Sequence, residues 1–288
     1  MKKQFETIAI SEHDSQSLNF LYKNRLGRFF LKLMIQPAVS KLAGVYLDSF
    51  FSKGMIPRFI NKNQIVMEEY QKADYASFNK FFMREIKPEA RPFPKEQKQL
   101  AAPCDGKVTA YSIDSSSVFK IKNSIYNVSG LLEDSALGKE WLGGMAVILR
   151  LTPDDYHHYY FIDAGRISTY KKISGLFHTV RPIAIHNEPV FSRNTREVTI
   201  IETEQFGKIA QIEVGALMVG KIENLKESGT CQRFEKKGWF EFGGSTVILL
   251  FQKGEVTIAS EILENTSNQQ ETRIKLGEVI GVGGEKHK

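Results

Sequence analysis

From about residue 100 onward the chain is written as short β-branched runs separated by glycine turns: GKVTAYSI, MAVILRLT, EVTIIETE, KIAQIEV, STVILLF, EVTIASEI and TRIKLGEVIGV. Runs of this length and composition, punctuated by glycine, form strands and tight turns. They do not alternate with helical patterns in a βαβ rhythm, and no fixed-period repeat is present. The pattern predicts an α+β protein whose bulk is an antiparallel-rich β body, barrel-like or sandwich-like. Strand order stays open at this level. With 288 residues the chain is long enough to bury a substantial core.

Ahead of that body, residues 16 to 65 read as helical. Leu26, Phe29, Phe30, Leu33 and Met34 recur at helical spacing, while Arg25, Arg28 and Lys32 fall largely elsewhere on the wheel. Pro37 interrupts the pattern, and Leu42, Val45, Tyr46 and Phe50 start a second amphipathic stretch. Between Leu21 and Lys62 stand Lys23, Arg25, Arg28, Lys32, Lys41, Lys53, Arg58 and Lys62 against a single acid, Asp48, so this segment holds the whole surplus of a chain whose net charge is +6. A basic segment on a near-neutral body implies an anionic surface as partner. Basic, aromatic-rich amphipathic helices suit a membrane interface, and the same pattern equally suits helices that pack on the body. No recognised nucleic-acid motif accompanies the charge, so nucleic acid is not the expected partner. Further on, Ser77 is placed to cap a helix over SFNKFFMREI that Pro88 ends, with RPFPKEQKQ as a linker.

Two cysteines, Cys104 and Cys231, make neither a disulfide framework nor a zinc motif, and a reducing compartment is expected. The N-terminal MKKQFETIAISEHD lacks the apolar core of a signal peptide, and no apolar run is long enough to span a bilayer. The expectation is a soluble or peripheral protein.

The chemistry centres on Gly243-Gly244-Ser245-Thr246, which runs directly into the apolar VILLF. Taken alone, GGS before a buried strand is a tight turn. A sharper reading is available. A serine directly after glycine can attack the carbonyl of that glycine, because glycine has no side chain to obstruct the strained approach. The peptide becomes an ester, and elimination releases a carboxylate on Gly244 and leaves dehydroalanine. Hydrolysis of its imine tautomer yields ammonia and an N-terminal pyruvoyl group. Such a ketone can form a Schiff base with an amine and accept electrons when carbon dioxide leaves.

At this point GWFEFGGSTVILLF resembles the cleavage segment of the phosphatidylserine decarboxylase family. FFMREIKPEARPF, PCDGKV, LTPDDYHHYYFIDAG, GLFHTVRPIA, FSRNTREV and VGALMVGKI follow the family's order, and the similarity extends from roughly residue 20 to residue 280. The resemblance implies a β-rich fold with N-terminal helices that meet the membrane. It implies a proenzyme cut between Gly244 and Ser245 into large (1–244) and small (245–288) chains that stay associated. It also implies a pyruvoyl cofactor made from Ser245, phosphatidylserine as substrate and a homodimer. On this basis residues 1–65 are expected to be the membrane-associating region and 66–288 the catalytic domain. Without an import signal, the expected place is the cytoplasmic side of a bacterial membrane. The alternatives are a pyruvoyl decarboxylase for another amino-lipid or amino acid, and an inactive membrane-binding homologue.

The family's cleavage base is a histidine oriented by an aspartate, which places these roles on His157 and Asp105. Many members carry two histidines three apart here, and this chain has Tyr160 at the second position. His178 in FHTVRP and His158 are the alternates for the second acid–base role, each with an ordinary pKa near neutrality. A metal held by Asp154, Asp155, His157 and His158 is not expected, because neighbours on a strand point to opposite faces. Arg193 and Asn194 are candidates for the substrate's phosphate. Val214, Gly215 and Ala216 are expected to pack close to the site.

Overall fold

The computed structural model describes residues 5–9, 16–116, 118–121, 124–185, 189–216, 221–243 and 245–284. The strands in chain order are β1 (Glu6–Ala9), β2 (Gln99–Ala101), β3 (Gly106–Ser112), β4 (Val118–Ile121), β5 (Ser124–Asn127), β6 (Met145–Leu151), β7 (His158–Tyr160), β8 (Gly165–Ile173) and β9 (Arg196–Thr203). They continue as β10 (Lys208–Gly215), β11 (Ile222–Asn224), β12 (Gly229–Cys231), β13 (Lys236–Phe240), β14 (Ser245–Phe251), β15 (Val256–Ile258), β16 (Gln270–Ile274) and β17 (Val279–Gly283). Nine of them form one open sheet in the order β1-β16-β3-β6-β14-β10-β9-β8-β12, and each pairing in it is antiparallel. The expected antiparallel α+β body is thus present as an open sheet rather than a closed barrel.

The strand that begins at Ser245 occupies the middle of that order, between β6 and β10. Its STVILLF sequence is buried throughout, as a strand covered on both faces requires. Alternation divides it. Val247, Leu249 and Phe251 pack with Tyr159, Phe161, Phe206 and Phe240 on one face. Ile248 and Leu250 pack with Phe119, Tyr126, Trp141 and Phe191 on the other. The sheet β11-β13-β7 lies on the first of these faces through Tyr159 and Phe240.

The α-helices ahead of β2 are α1 (Gln16–Lys23), α2 (Arg25–Met34), α3 (Pro37–Asp48), α4 (Ile56–Asn63) and α5 (Phe78–Phe82). Asn24 caps α2 by accepting from Leu26 N at 2.9 Å, and Pro37 begins α3, where its missing N–H costs nothing. Residues 16–65 are largely helical, but Glu6–Ala9 is a strand on the edge of the main sheet, paired with β16. Ser77 caps α5 as expected, accepting from Lys80 N at 3.2 Å. The helix ends at Phe82 rather than continuing to Ile86, because Ile86 is drawn into an antiparallel bridge with Tyr70. A third apolar cluster, with Leu47, Tyr70, Phe78, Phe81, Phe82 and Tyr156, fastens α3 and α5 to the body.

Candidate active site

Ser245 opens the central strand directly opposite Gly215 of β10 and Leu151 of β6. It is completely buried, and its Oγ has no hydrogen-bond partner among the described residues. A hydroxyl is normally satisfied when buried, and those of Thr246, Thr199 and Ser40 share this lack of a partner among the described residues. The glycine preceding it in the sequence, Gly244, lies outside the described residues. The approach to it is fixed: Phe242 N donates to Asn79 Oδ1 at 3.1 Å, and the Phe242 ring sits 5.0 Å from Phe82 and 4.9 Å from Phe78.

Phe82 also places a ring 4.2 Å from His157, so the histidine and the segment leading to Ser245 share one wall. His157 is fully buried. Its Nδ1 is 3.0 Å from the Asp155 carbonyl. A carbonyl only accepts, so Nδ1 carries the proton and donates, and the neutral ring presents its lone pair at Nε2. That Nε2 is buried and unpartnered. Burial, and then the charge of Arg84, push the His157 pKa down to about 3, so the ring is neutral at ordinary pH. His158 donates from Nε2 to the Met83 carbonyl at 3.1 Å, and burial takes it down to about 4.

Asp105 lies apart from this histidine. Arg91 donates to both its oxygens, Nε to Oδ1 at 2.9 Å and Nη2 to Oδ2 at 2.7 Å, and Leu276 N adds a third bond at 2.7 Å. Among the described residues, no hydrogen bond joins Asp105 to His157, although the two were expected to form a relay. Burial opposes the Arg91 charge, but Asp105 and Glu69 more than offset this and raise its pKa. Gly106 follows with φ +155° and with Arg150 O only 2.9 Å from where a Cβ would stand, so this turn requires glycine. Tyr160, at the departing position, is half-buried and packs 5.6 Å from Phe93. Asp154 and Asp155 pair with Lys107 rather than converging with the two histidines.

Asn194 is buried and spends its amide on the backbone, donating to His178 O at 2.8 Å and Gly215 O at 2.7 Å and accepting from His178 N at 3.0 Å. It thereby ties the His178 segment to the strand opposite Ser245. His178 Nδ1 is 3.3 Å from the Tyr22 hydroxyl. Arg193 is exposed. Gly215 faces Ser245, whereas Val214 and Ala216 belong to the apolar cluster on the other side of the sheet.

The sequence reading missed the buried cations that frame the site: Arg84, Arg91, Lys107 and Lys237. Lys237 is wholly buried with Glu213, 2.7 Å away, and also donates to Asn224 Oδ1 at 2.6 Å. Burial raises the Glu213 pKa and lowers that of Lys237. The legible signal was Gln211 and Glu213, two apart in a strand otherwise apolar after Lys208 and therefore on one face. A cavity of about 520 Å³ opens between α3 and the body, lined among others by Lys41, Val45, Phe177, Thr195, Glu197 and Lys221.

Fold and site together are those of an α+β protein whose central strand opens on a buried serine, with a neutral buried histidine linked to the segment before it through Phe82 and not hydrogen-bonded to the serine. The model of the phosphatidylserine decarboxylase family matches residues 78–282. Phosphatidylserine decarboxylase proenzyme 2 of Clostridium acetobutylicum is 44% identical over 271 residues, covering 94% of this chain and 93% of its own length. The phosphatidylserine decarboxylase proenzymes of Clostridium perfringens and Fusobacterium nucleatum are each 40% identical, over 92% of this chain and 92% and 90% of their own. The chain belongs to the phosphatidylserine decarboxylase family.

Proposed function

We propose that this chain is a proenzyme that cleaves itself between Gly244 and Ser245, and that the processed protein converts phosphatidylserine to phosphatidylethanolamine. The observation that carries the reading is the buried, unpartnered Oγ of Ser245 at the head of the central strand. His157 Nε2 takes the hydroxyl proton, Oγ bonds to the Gly244 carbonyl carbon, and the proton passes to the nitrogen of residue 245 as the peptide C–N bond breaks. Loss of the Ser245 α-proton then breaks the Cβ–O bond, and Gly244 leaves as a carboxylate. The Asp155 carbonyl keeps His157 in the required tautomer. Asp105, held by Arg91, acts as a fixed anion of the site rather than as the direct partner of His157.

The surroundings fit a pyruvoyl group at residue 245, since its position is buried, its side chain has no competing hydrogen bond among the described residues, and it lies opposite a glycine. Once formed, that group supplies an electron sink for the loss of carbon dioxide from a primary-amine substrate. The chain's own contribution is then to exclude water and to return a proton, for which His157, His158 and His178 are the candidates. Arg193 is assigned to the headgroup phosphate, and Asn194 to shaping the strand opposite Ser245.

The membrane reading is supported by the exposed apolar side chains of the helical region. Leu26, Phe29, Phe30 and Leu33 of α2 face outward, as do Leu42 (72% exposed) and Val45 of α3 and Phe51 (83% exposed) beyond it. Arg25, Arg28 and Lys32 are exposed beside them. A contiguous apolar surface with basic neighbours suits an anionic lipid interface, each cation adding about 1 kcal/mol. Among the described residues, no helix is long and apolar enough to cross a membrane. The cavity beside α3, with Lys41 and Lys221 in its lining, is the proposed place of entry for a lipid headgroup. Mass spectrometry of lipids after incubation of the purified protein with phosphatidylserine vesicles tests the activity. Phosphatidylethanolamine must accumulate with time, and vesicles that stay unchanged beside fully cleaved protein would remove this substrate.

A further inference from the structure

Arg84 is 1% exposed, so its guanidinium is buried. Its Nη2 donates to the Tyr70 hydroxyl at 3.1 Å and Nη1 to the Phe82 carbonyl at 3.4 Å, while Nε has no partner. The guanidinium lies over the rings of Tyr70 and Phe81, 4.3 and 5.0 Å from their centroids. Every other buried cation has an acid in reach. Arg91 has Asp105 and Glu69, Lys107 has Asp155, Lys237 has Glu213, and Arg196 has Glu133 at 3.7 Å. Among the described residues, no carboxylate lies within ion-pair distance of Arg84. Aromatic faces offset part of the cost of burying a guanidinium, and an unused N–H in a dry site still wants an oxygen.

The position of Arg84 says where that oxygen comes from. Two residues earlier, Phe82 touches both His157 and Phe242. One residue earlier, the Met83 carbonyl holds His158. The charge of Arg84 is felt at His157, where it ranks after burial among the causes that keep the ring neutral. Arg84 therefore stands directly behind the Phe82–His157 contact, bonded to the Phe82 carbonyl.

We propose that Arg84 is a carboxylate-binding site that the intact chain leaves unfilled. The inference rests on the self-processing reading for its first source of carboxylate: elimination breaks the Cβ–O bond at residue 245 and leaves the electron pair on a new chain-terminal carboxylate at residue 244, two residues beyond Phe242 and so within about 7 Å of chain. The second source is the carboxylate of the substrate headgroup. In both cases the guanidinium meets an oxyanion with its free N–H groups.

Thermal unfolding in sodium formate against sodium chloride at equal ionic strength tests this on four full-length proteins: wild type, Ser245→Ala, Arg84→Met and Ser245→Ala/Arg84→Met. Formate is expected to raise the midpoint of the uncleaved Ser245→Ala chain by about 2 °C or more above chloride. Arg84→Met in that background should abolish the formate response and leave the chloride midpoint equal or higher, since an unpaired charge has gone. Cleaved wild type that no longer responds to formate identifies the new chain end as the occupant, and a retained response identifies the substrate. If the Ser245→Ala chain shows no formate-specific shift, or the double variant keeps it, the proposal is overturned. A wild type that never cleaves defeats the self-processing reading instead, and the formate response of the intact chain still decides the role of Arg84. Should Arg84→Met fail to fold, Arg84→Lys keeps the charge without the fork and should lose at least half of the response.

Discussion

Lys237 and Ser245 are both wholly buried, and their surroundings could hardly differ more. The ammonium of Lys237 has Glu213 and Asn224 at hydrogen-bond distance, and Asn224 passes the connection on to Glu197 at 2.6 Å. The hydroxyl of Ser245 and the Nε2 of His157 have no partner among the described residues. A charge-paired polar cluster is a structural device, since removing one member strands the other, even though Glu213 Oε1 has no partner among the described residues. An open one contributes little to stability and keeps its lone pairs for chemistry. The comparison predicts that the two regions fail differently. Changes at the open groups should stop processing and spare the fold, while changes at the filled groups should weaken the fold first.

The largest expected effect is at the open pair. His157→Gln should slow self-cleavage by about 10²–10⁴-fold, the usual worth of a positioned base, with an unfolding midpoint close to wild type. Gel densitometry over time measures this, and cleavage at the wild-type rate would move the base elsewhere, His178 being next. At the filled pair, Lys237→Met should cost about 3–5 kcal/mol in urea unfolding by leaving Glu213 unpaired. Glu213→Leu/Lys237→Met together should recover most of that loss. If the double variant is as unstable as the single one, the pair is not the structural device described here.

The two histidines of the site give a smaller effect with a definite sign. Their folded pKa values, about 3 for His157 and about 4 for His158, lie below the ordinary 6.5. The unfolded chain therefore binds more protons between these limits. The stability they confer is complete above about pH 6.5 and is lost as pH falls toward 4 and then 3. Between pH 6.5 and 5 the loss is on the order of 2 kcal/mol per histidine. Urea midpoints at the two pH values check it, and His158→Gln should flatten the slope. Smallest is the surface effect. Phe29→Ser/Phe30→Ser/Leu33→Ser should weaken sedimentation with anionic vesicles by about tenfold or more without altering cleavage in solution. Wild-type binding should also fall as salt rises.

The sequence carried the strands and the serine because both are local signals. β-Branched runs declare themselves over a few residues, and GGST stands against the run that becomes the central strand. The framing charges were not legible, since Arg91 meets Asp105 across 14 positions and Lys237 meets Glu213 across 24. Pattern also misjudged where an element ends when a distant partner decides it, as with Ile86, which leaves α5 for Tyr70. Likewise Glu6–Ala9 is a strand only because β16 is there to pair with it. The relay between Asp105 and His157 came from resemblance, and the side chains here make other bonds, Asp105 to Arg91 and His157 to the Asp155 carbonyl.

The central claim is that the open hydroxyl of Ser245 cuts its own chain. Intact-mass spectrometry of the purified wild type beside Ser245→Ala tests it most directly. The account predicts that the wild type separates into 1–244 and a 245–288 fragment whose first residue has the mass of a pyruvoyl group, while the variant stays whole and folded. A folded wild type that remains one uncleaved chain, or a Ser245→Ala chain that is still cut at this junction, would contradict it.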